Sequence, residues 1–151
     1  MKRKITRPLL LIYLLLTACA TQIGSTRDQG AVLEKLPREY SGTFRWHGDE
    51  SVQEVSISIR SASVDENDNI IAIGSGRYVS TRGPTNIEVK IEISWETLRL
   101  EMWELDPVDN TEFITSGSHI GRISEDFETI TAVWTTEESG EQGELELSVH
   151  R

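Results

Sequence analysis

From Tyr40 onward, apolar and polar residues exchange places with a period of two. The clearest run is Thr85 to Trp95, where Ile87, Val89, Ile91, Ile93 and Trp95 alternate with Asn86, Glu88, Lys90, Glu92 and Ser94. Val55, Ile57 and Ile59 alternate with Ser56, Ser58 and Arg60, and Leu98, Leu100 and Met102 with Arg99 and Glu101. Near the C-terminus, Leu145, Leu147 and Val149 alternate with Glu144, Glu146 and Ser148. Side chains of a strand point to opposite faces in turn, so each run predicts a strand with one buried and one solvated side. Helices would need apolar steps of three and four, which these runs lack.

Turn-forming clusters punctuate the runs: Asp65 to Asn69, Arg82-Gly83-Pro84, Asp106 to Asn110, Ser124 to Asp126 and Ser139 to Gly143. The segments between them predict eight strands, near 40–47, 51–62, 70–80, 85–95, 97–104, 111–121, 127–136 and 143–150. No connection is long enough for a helical crossover, so neighbours are expected to pair antiparallel. An all-β, eight-stranded up-and-down barrel follows, since closure removes exposed edges. A two-sheet β-sandwich fits the same pattern. Ahead of the strands, Val32, Leu33 and Leu36 predict a short helical turn ended by Pro37, covering one end of the domain.

The first 18 residues are of another kind. Lys2, Arg3, Lys4 and Arg7 precede an apolar run from Leu9 to Leu16, with no acidic residue. That run is too short to span a bilayer, which takes about 20 residues, and it has the layout of an export signal. Its end, Leu16-Thr17-Ala18-Cys19, resembles the lipobox of bacterial lipoproteins: an aliphatic residue, two small ones, then cysteine. The resemblance implies cleavage before Cys19 and acylation of the Cys19 sulfur and its new amino group. It divides the chain into a signal (1–18), a lipidated cysteine and tether (19–39) and a barrel domain (40–151). Cys19 is the only cysteine, so packing alone must stabilise the domain. Ala20, rather than Asp, after the cysteine implies the periplasmic face of the outer membrane.

Charge narrows the partners. Loss of the four basic signal residues takes the formal charge from −10 to −14 on the remaining 133 residues. Such a surface opposes nucleic acid, whose affinity comes from neutralising phosphates with Lys and Arg. It opposes anionic lipid headgroups as well. The lipid on Cys19 is therefore the expected membrane contact.

Within residues 40–150, Ser41-Gly42-Thr43-Phe44, Gly74-Ser75-Gly76-Arg77-Tyr78, Ser116 to Gly121 and Ile130 to Trp134 fall in an order that resembles the lipocalin and avidin-like barrels, the calycins. The resemblance implies a barrel able to hold a small ligand. Phe44 stands where those families often carry tryptophan, and no polar biotin-binding set maps onto this chain.

Chemical motifs are scarce. Asp65, Asn67 and Asn69 have the first spacings of a calcium loop, but Ile70 and Gly76 occupy the positions that need Gly and Glu; a hairpin turn is expected. Gly74-x-Gly76 sits within a strand and predicts a bulge or close strand approach. His47, His119 and His150 are far apart without ligand spacing. Ser116, Ser118 and His119 lack a nucleophile elbow, so no catalytic residue, metal site or cofactor is assigned. Trp95 and Trp134 share the phase of apolar neighbours and are expected in the core. Trp103 breaks phase with Met102 and is expected outside, as is Trp46 beside His47. Trp46, Trp103 and Tyr78 are the candidate contacts. The expectation is a non-enzymatic, lipid-anchored envelope protein that binds a small apolar ligand or an envelope component in or at the end of its barrel. The alternative is an acidic module for a basic protein, such as an inhibitor of a cationic hydrolase.

Overall fold

The computed structural model describes residues 29–105, 115–136 and 140–149. The signal, Cys19, the turn at Asp106 to Asn110 and His150 lie outside the described residues. The elements are α1 (Gln29–Lys35), β1 (Glu39–Trp46), β2 (Val52–Val64), β3 (Asn69–Ser80), β4 (Gly83–Ser94), β5 (Arg99–Leu105), β6 (Ser118–Ile123), β7 (Thr129–Thr135) and β8 (Gln142–Ser148). Every strand pairs with its sequence neighbour, and β8 pairs back onto β1, closing a barrel. All pairings are antiparallel. The sandwich alternative is thereby set aside.

Alternation decides which side chains fill the barrel. Val55, Ile57 and Ile59 of β2, Ile87 to Ile93 of β4, Leu100 and Met102 of β5, and Leu145 and Leu147 of β8 are buried at alternate positions, with more exposed residues between them. The phase slips once. Ile59 pairs with Gly74 and Ser61 with Ile73, so Arg60 is an extra residue in β2. This bulge turns Arg60 outward, where its guanidinium meets the Glu88 carboxylate through two bonds of 2.8 and 2.5 Å. Gly74 serves the same irregularity: a Cβ there would overlap the Ser58 carbonyl of the adjacent strand.

Strand limits shift from expectation by a residue or two at most ends, and β6 starts only at Ser118, not near 111. β5 begins at Arg99, because Leu98 takes a left-handed conformation (φ 56°) in the preceding turn. β6 extends to Ile123, whose side chain is buried in the core.

The two ends of the barrel differ. At the end where β1 begins, α1 places Val32 and Leu36 in the core. There the Tyr40 hydroxyl donates to the Phe127 carbonyl at 2.8 Å, and the Phe127 ring stacks on Trp95 with centroids 5.9 Å apart. Phe127 is left-handed (φ 62°), a conformation costing about 1–3 kcal/mol for a non-glycine residue. Burying its ring contributes about 1.5–3 kcal/mol, and the buried hydrogen bond to its carbonyl about 1 kcal/mol. The contacts therefore hold the turn in place and this end is plugged.

Two expected outcomes follow. Gly74→Ala should lower stability by about 1–3 kcal/mol through overpacking, read as a lower urea midpoint at unchanged slope; an unshifted midpoint would remove the close-approach role. Tyr40 carries the second. Burial, and next the Asp126 charge, raise its pKa well above the ordinary phenol value of 10.0. A raised folded-state value keeps its contribution whole below pH about 10 and loses it as pH rises further, because the unfolded chain then gives up the proton first. Tyr40→Phe should thus cost about 1 kcal/mol at pH 7, and the deficit should shrink above pH about 10. Urea titrations at pH 7 and 10.5 compare the two.

Candidate functional site

The other end of the barrel carries the β1–β2, β3–β4, β5–β6 and β7–β8 connections. Here the interior changes character. Thr85, Glu104, His119 and Thr136, the buried polar and charged residues among those described, all lie at the strand ends nearest these connections. A cavity of about 360 Å³ opens among Phe44, Trp46, Tyr78, Arg82, Glu104 and Trp134, with Asp49 and Ser51 to Gln53 at its edge. That volume lies within the range of about 300–1,000 Å³ typical of small-molecule sites.

Phe44 is the centre of the aromatic wall. Its ring meets Trp46 edge-on at 5.0 Å, Tyr78 at 6.1 Å and His119 at 5.8 Å. Trp46 in turn meets Trp134 edge-on at 5.0 Å. Room for the Phe44 ring comes from Gly143 of β8, where a Cβ would overlap it. These edge-to-face contacts are the geometry ring quadrupoles prefer.

Beneath the aromatic rings lies a hydrogen-bonded trio. β5 turns Leu100, Met102 and Glu104 inward, and the pairing of Met102 with His119 places the imidazole diagonally beside the Glu104 carboxylate. His119 Nε2 lies 2.9 Å from Glu104 Oε1. The Tyr78 hydroxyl donates to the same oxygen and lies 3.5 Å from His119 Nε2. The His119 side chain is fully buried and that of Glu104 is 4 % exposed. Burial, then the charge of Glu104 and its hydrogen bond, hold the Tyr78 phenol well above its usual range, so it remains a donor. An imidazole with its proton on Nε2 donates to Glu104 and leaves Nδ1, which has no partner among the described residues, as a lone pair. Both contacts fall on Oε1, and Glu104 Oε2 takes no hydrogen bond among the described residues. Trp134 Nε1 is likewise buried without a partner.

The site gathers two of the three candidate contacts. Tyr78 is buried at the floor and Trp46 stands at the mouth. The expectation that Trp46 faces outward is corrected: it shares the phase of Tyr40 and Phe44 on β1 and turns inward with them. Trp103 lies on the outer face, with Lys90 of the paired strand 4.8 Å from its ring centroid. Trp134 is buried, and Trp95 is half-buried against Phe127. Sequence reading missed Glu104, although a charged residue in phase with Leu100 and Met102 is a usable signal for a polar group inside a barrel.

Other motifs resolve into local structure. Asp65 Oδ1 accepts the Asn67 and Asn69 amides at 2.8 Å each, so the calcium-like spacing forms a tied hairpin turn. Ser118 reaches outward toward Glu101 at 3.5 Å, and Ser116 pairs with Thr136 at 3.3 Å, so neither hydroxyl meets His119. His47 is exposed, 3.2 Å from Glu144. Among the described residues no group of three His, Cys, Asp or Glu side chains is placed to hold a metal ion. The mouth therefore combines a fixed acceptor, the indole N–H of Trp134 and flat apolar walls, an arrangement suited to holding a small molecule. In comparisons with known proteins, no family model and no curated protein matches the chain.

Proposed function

We propose that this protein is a lipid-anchored, non-enzymatic component of the cell envelope that captures one small, flat, largely apolar molecule in the mouth of its barrel. The observation that carries this reading is the cavity of about 360 Å³ walled by Phe44, Trp46, Tyr78 and Trp134. An eight-stranded barrel has an interior just wide enough to be filled or to hold one small ligand. Among the described residues, buried aliphatic side chains fill the lower interior, and the cavity lies at the mouth. Aromatic walls offer large apolar contact at little cost in side-chain freedom. The anchor rests on the lipobox resemblance at Cys19, with the periplasmic face of the outer membrane as its location.

Indole, a neutral flat probe, tests the binding reading. Its addition should shift the side-chain N–H resonances of Trp46 and Trp134 and leave that of Trp103 in place. Trp46→Ala should weaken binding about tenfold, the equivalent of about 1.4 kcal/mol. Equal shifts at all three rings, or none, would overturn it. The anchor has its own test in detergent phase separation of the protein made in its bacterial host. Wild type should enter the detergent phase and Cys19→Ser the aqueous one. Retention of the variant in detergent would reject acylation at Cys19.

A further inference from the structure

We infer that the mouth selects a cation: a flat apolar molecule bearing a protonated amine or similar N–H group, bound through Glu104 Oε2. This inference rests on the binding reading above and names the ligand class of the same cavity. The first support is the buried carboxylate itself. Glu104 lines the cavity with its side chain 4 % exposed, and both of its hydrogen bonds fall on Oε1. A carboxylate oxygen held in a low-dielectric pocket without a donor is costly to leave unmatched, and a hydrogen bond to a charged partner is the strongest way to satisfy it.

The walls provide the second support. Trp46, Phe44 and Trp134 present ring systems around the cavity, and an organic cation gains from aromatic faces as well as from the carboxylate. Charge at long range acts in the same sense. The chain carries a formal charge of −10, and a field of that sign draws cations toward a cleft and repels anions. Arg82 and Asp49 both line the cavity, but both are solvent-exposed and opposite in sign. Among the described residues of the lining, Glu104 is the only carboxylate or basic group that is buried.

Geometry also says what the neighbours do. Tyr78 and His119 fix the carboxylate through one oxygen, which orients the other without occupying it. They act as positioning residues. A ligand amine would complete the set of acceptors on Glu104 that the barrel itself leaves half used.

The test uses three molecules with one ring and one chain length: tryptamine, tryptophol and indole-3-acetate, which end in an ammonium, a hydroxyl and a carboxylate. Binding to the full-length protein in neutral detergent is measured by calorimetry, and the site by the Trp46, Trp134 and Trp103 indole resonances. Tryptamine should bind at least about tenfold more tightly than tryptophol, with indole-3-acetate weakest. Glu104→Gln keeps the acceptor toward Tyr78 and His119 and turns an amide N–H₂ toward the ligand, so it should abolish the preference for tryptamine. Glu146→Gln makes the same change in net charge on the exposed face of β8, and should leave the preference intact. Equal affinities for the three, or a tighter alcohol or acid, would overturn the cation inference while the mouth reading stands. Absence of any shift at Trp46 and Trp134 would overturn both. Should Glu104→Gln fail to fold, the wild-type series decides alone, and Trp46→Ala adds a second measure by weakening all three ligands while keeping their order.

Discussion

Because β8 pairs with β1 from Ser148–Ser41 to Gly143–Trp46, no strand of the sheet keeps a free edge and the interior has a set width. Everything inside must fit that width. Aliphatic side chains and Tyr40 fill it near the plugged end, where Tyr40, Ile57, Ile70, Leu100 and Leu147 are almost wholly inaccessible. Toward the mouth the inward positions pass to aromatic and polar residues, and filling gives way to a cavity. A barrel cannot collapse around missing volume as a loose core can, so the hydrogen-bonded wall preserves the space.

The same closure explains how three polar groups can stand inside a small protein. Glu104, His119 and Tyr78 come from three strands, and each satisfies part of another's hydrogen-bonding capacity. Singly, each would impose an uncompensated desolvation cost. Together they form a small network whose remaining capacity, among the described residues, lies on Glu104 Oε2 and His119 Nδ1. The folding core and the site thus share one interior, with the boundary lying about where Met102 gives way to Glu104.

Much of the fold was legible because period-two alternation is a direct imprint of the pleat. Thr85 to Trp95 reads as β4 without ambiguity, and Val32, Leu36 and Pro37 foretell α1 and its end. The bulge at Arg60 has a sequence mark that a simple alternation passes over: apolar residues move from odd positions (Val55, Ile57, Ile59) to even ones (Ala62, Val64) across it. Trp46 was misjudged by its neighbour His47 when its phase with Phe44 was the better guide. The site required register as well as phase. Tyr78 and His119 are 41 positions apart, and only the ladders through β4 and β5 bring them to one carboxylate.

The position of α1 has a consequence for direction. The helix leads into β1 at the plugged end, through Leu36 and the Arg38 carbonyl that accepts the Ile59 amide at 2.8 Å. The mouth is at the far end of the strands. On the proposed attachment at Cys19, the chain thus approaches the barrel from the end opposite its opening. With the helix tied to the closed end, the strand that receives the N-terminal segment starts on the side away from the aromatic rim. The chain ahead of Gln29 therefore joins the fold without having to cross the opening.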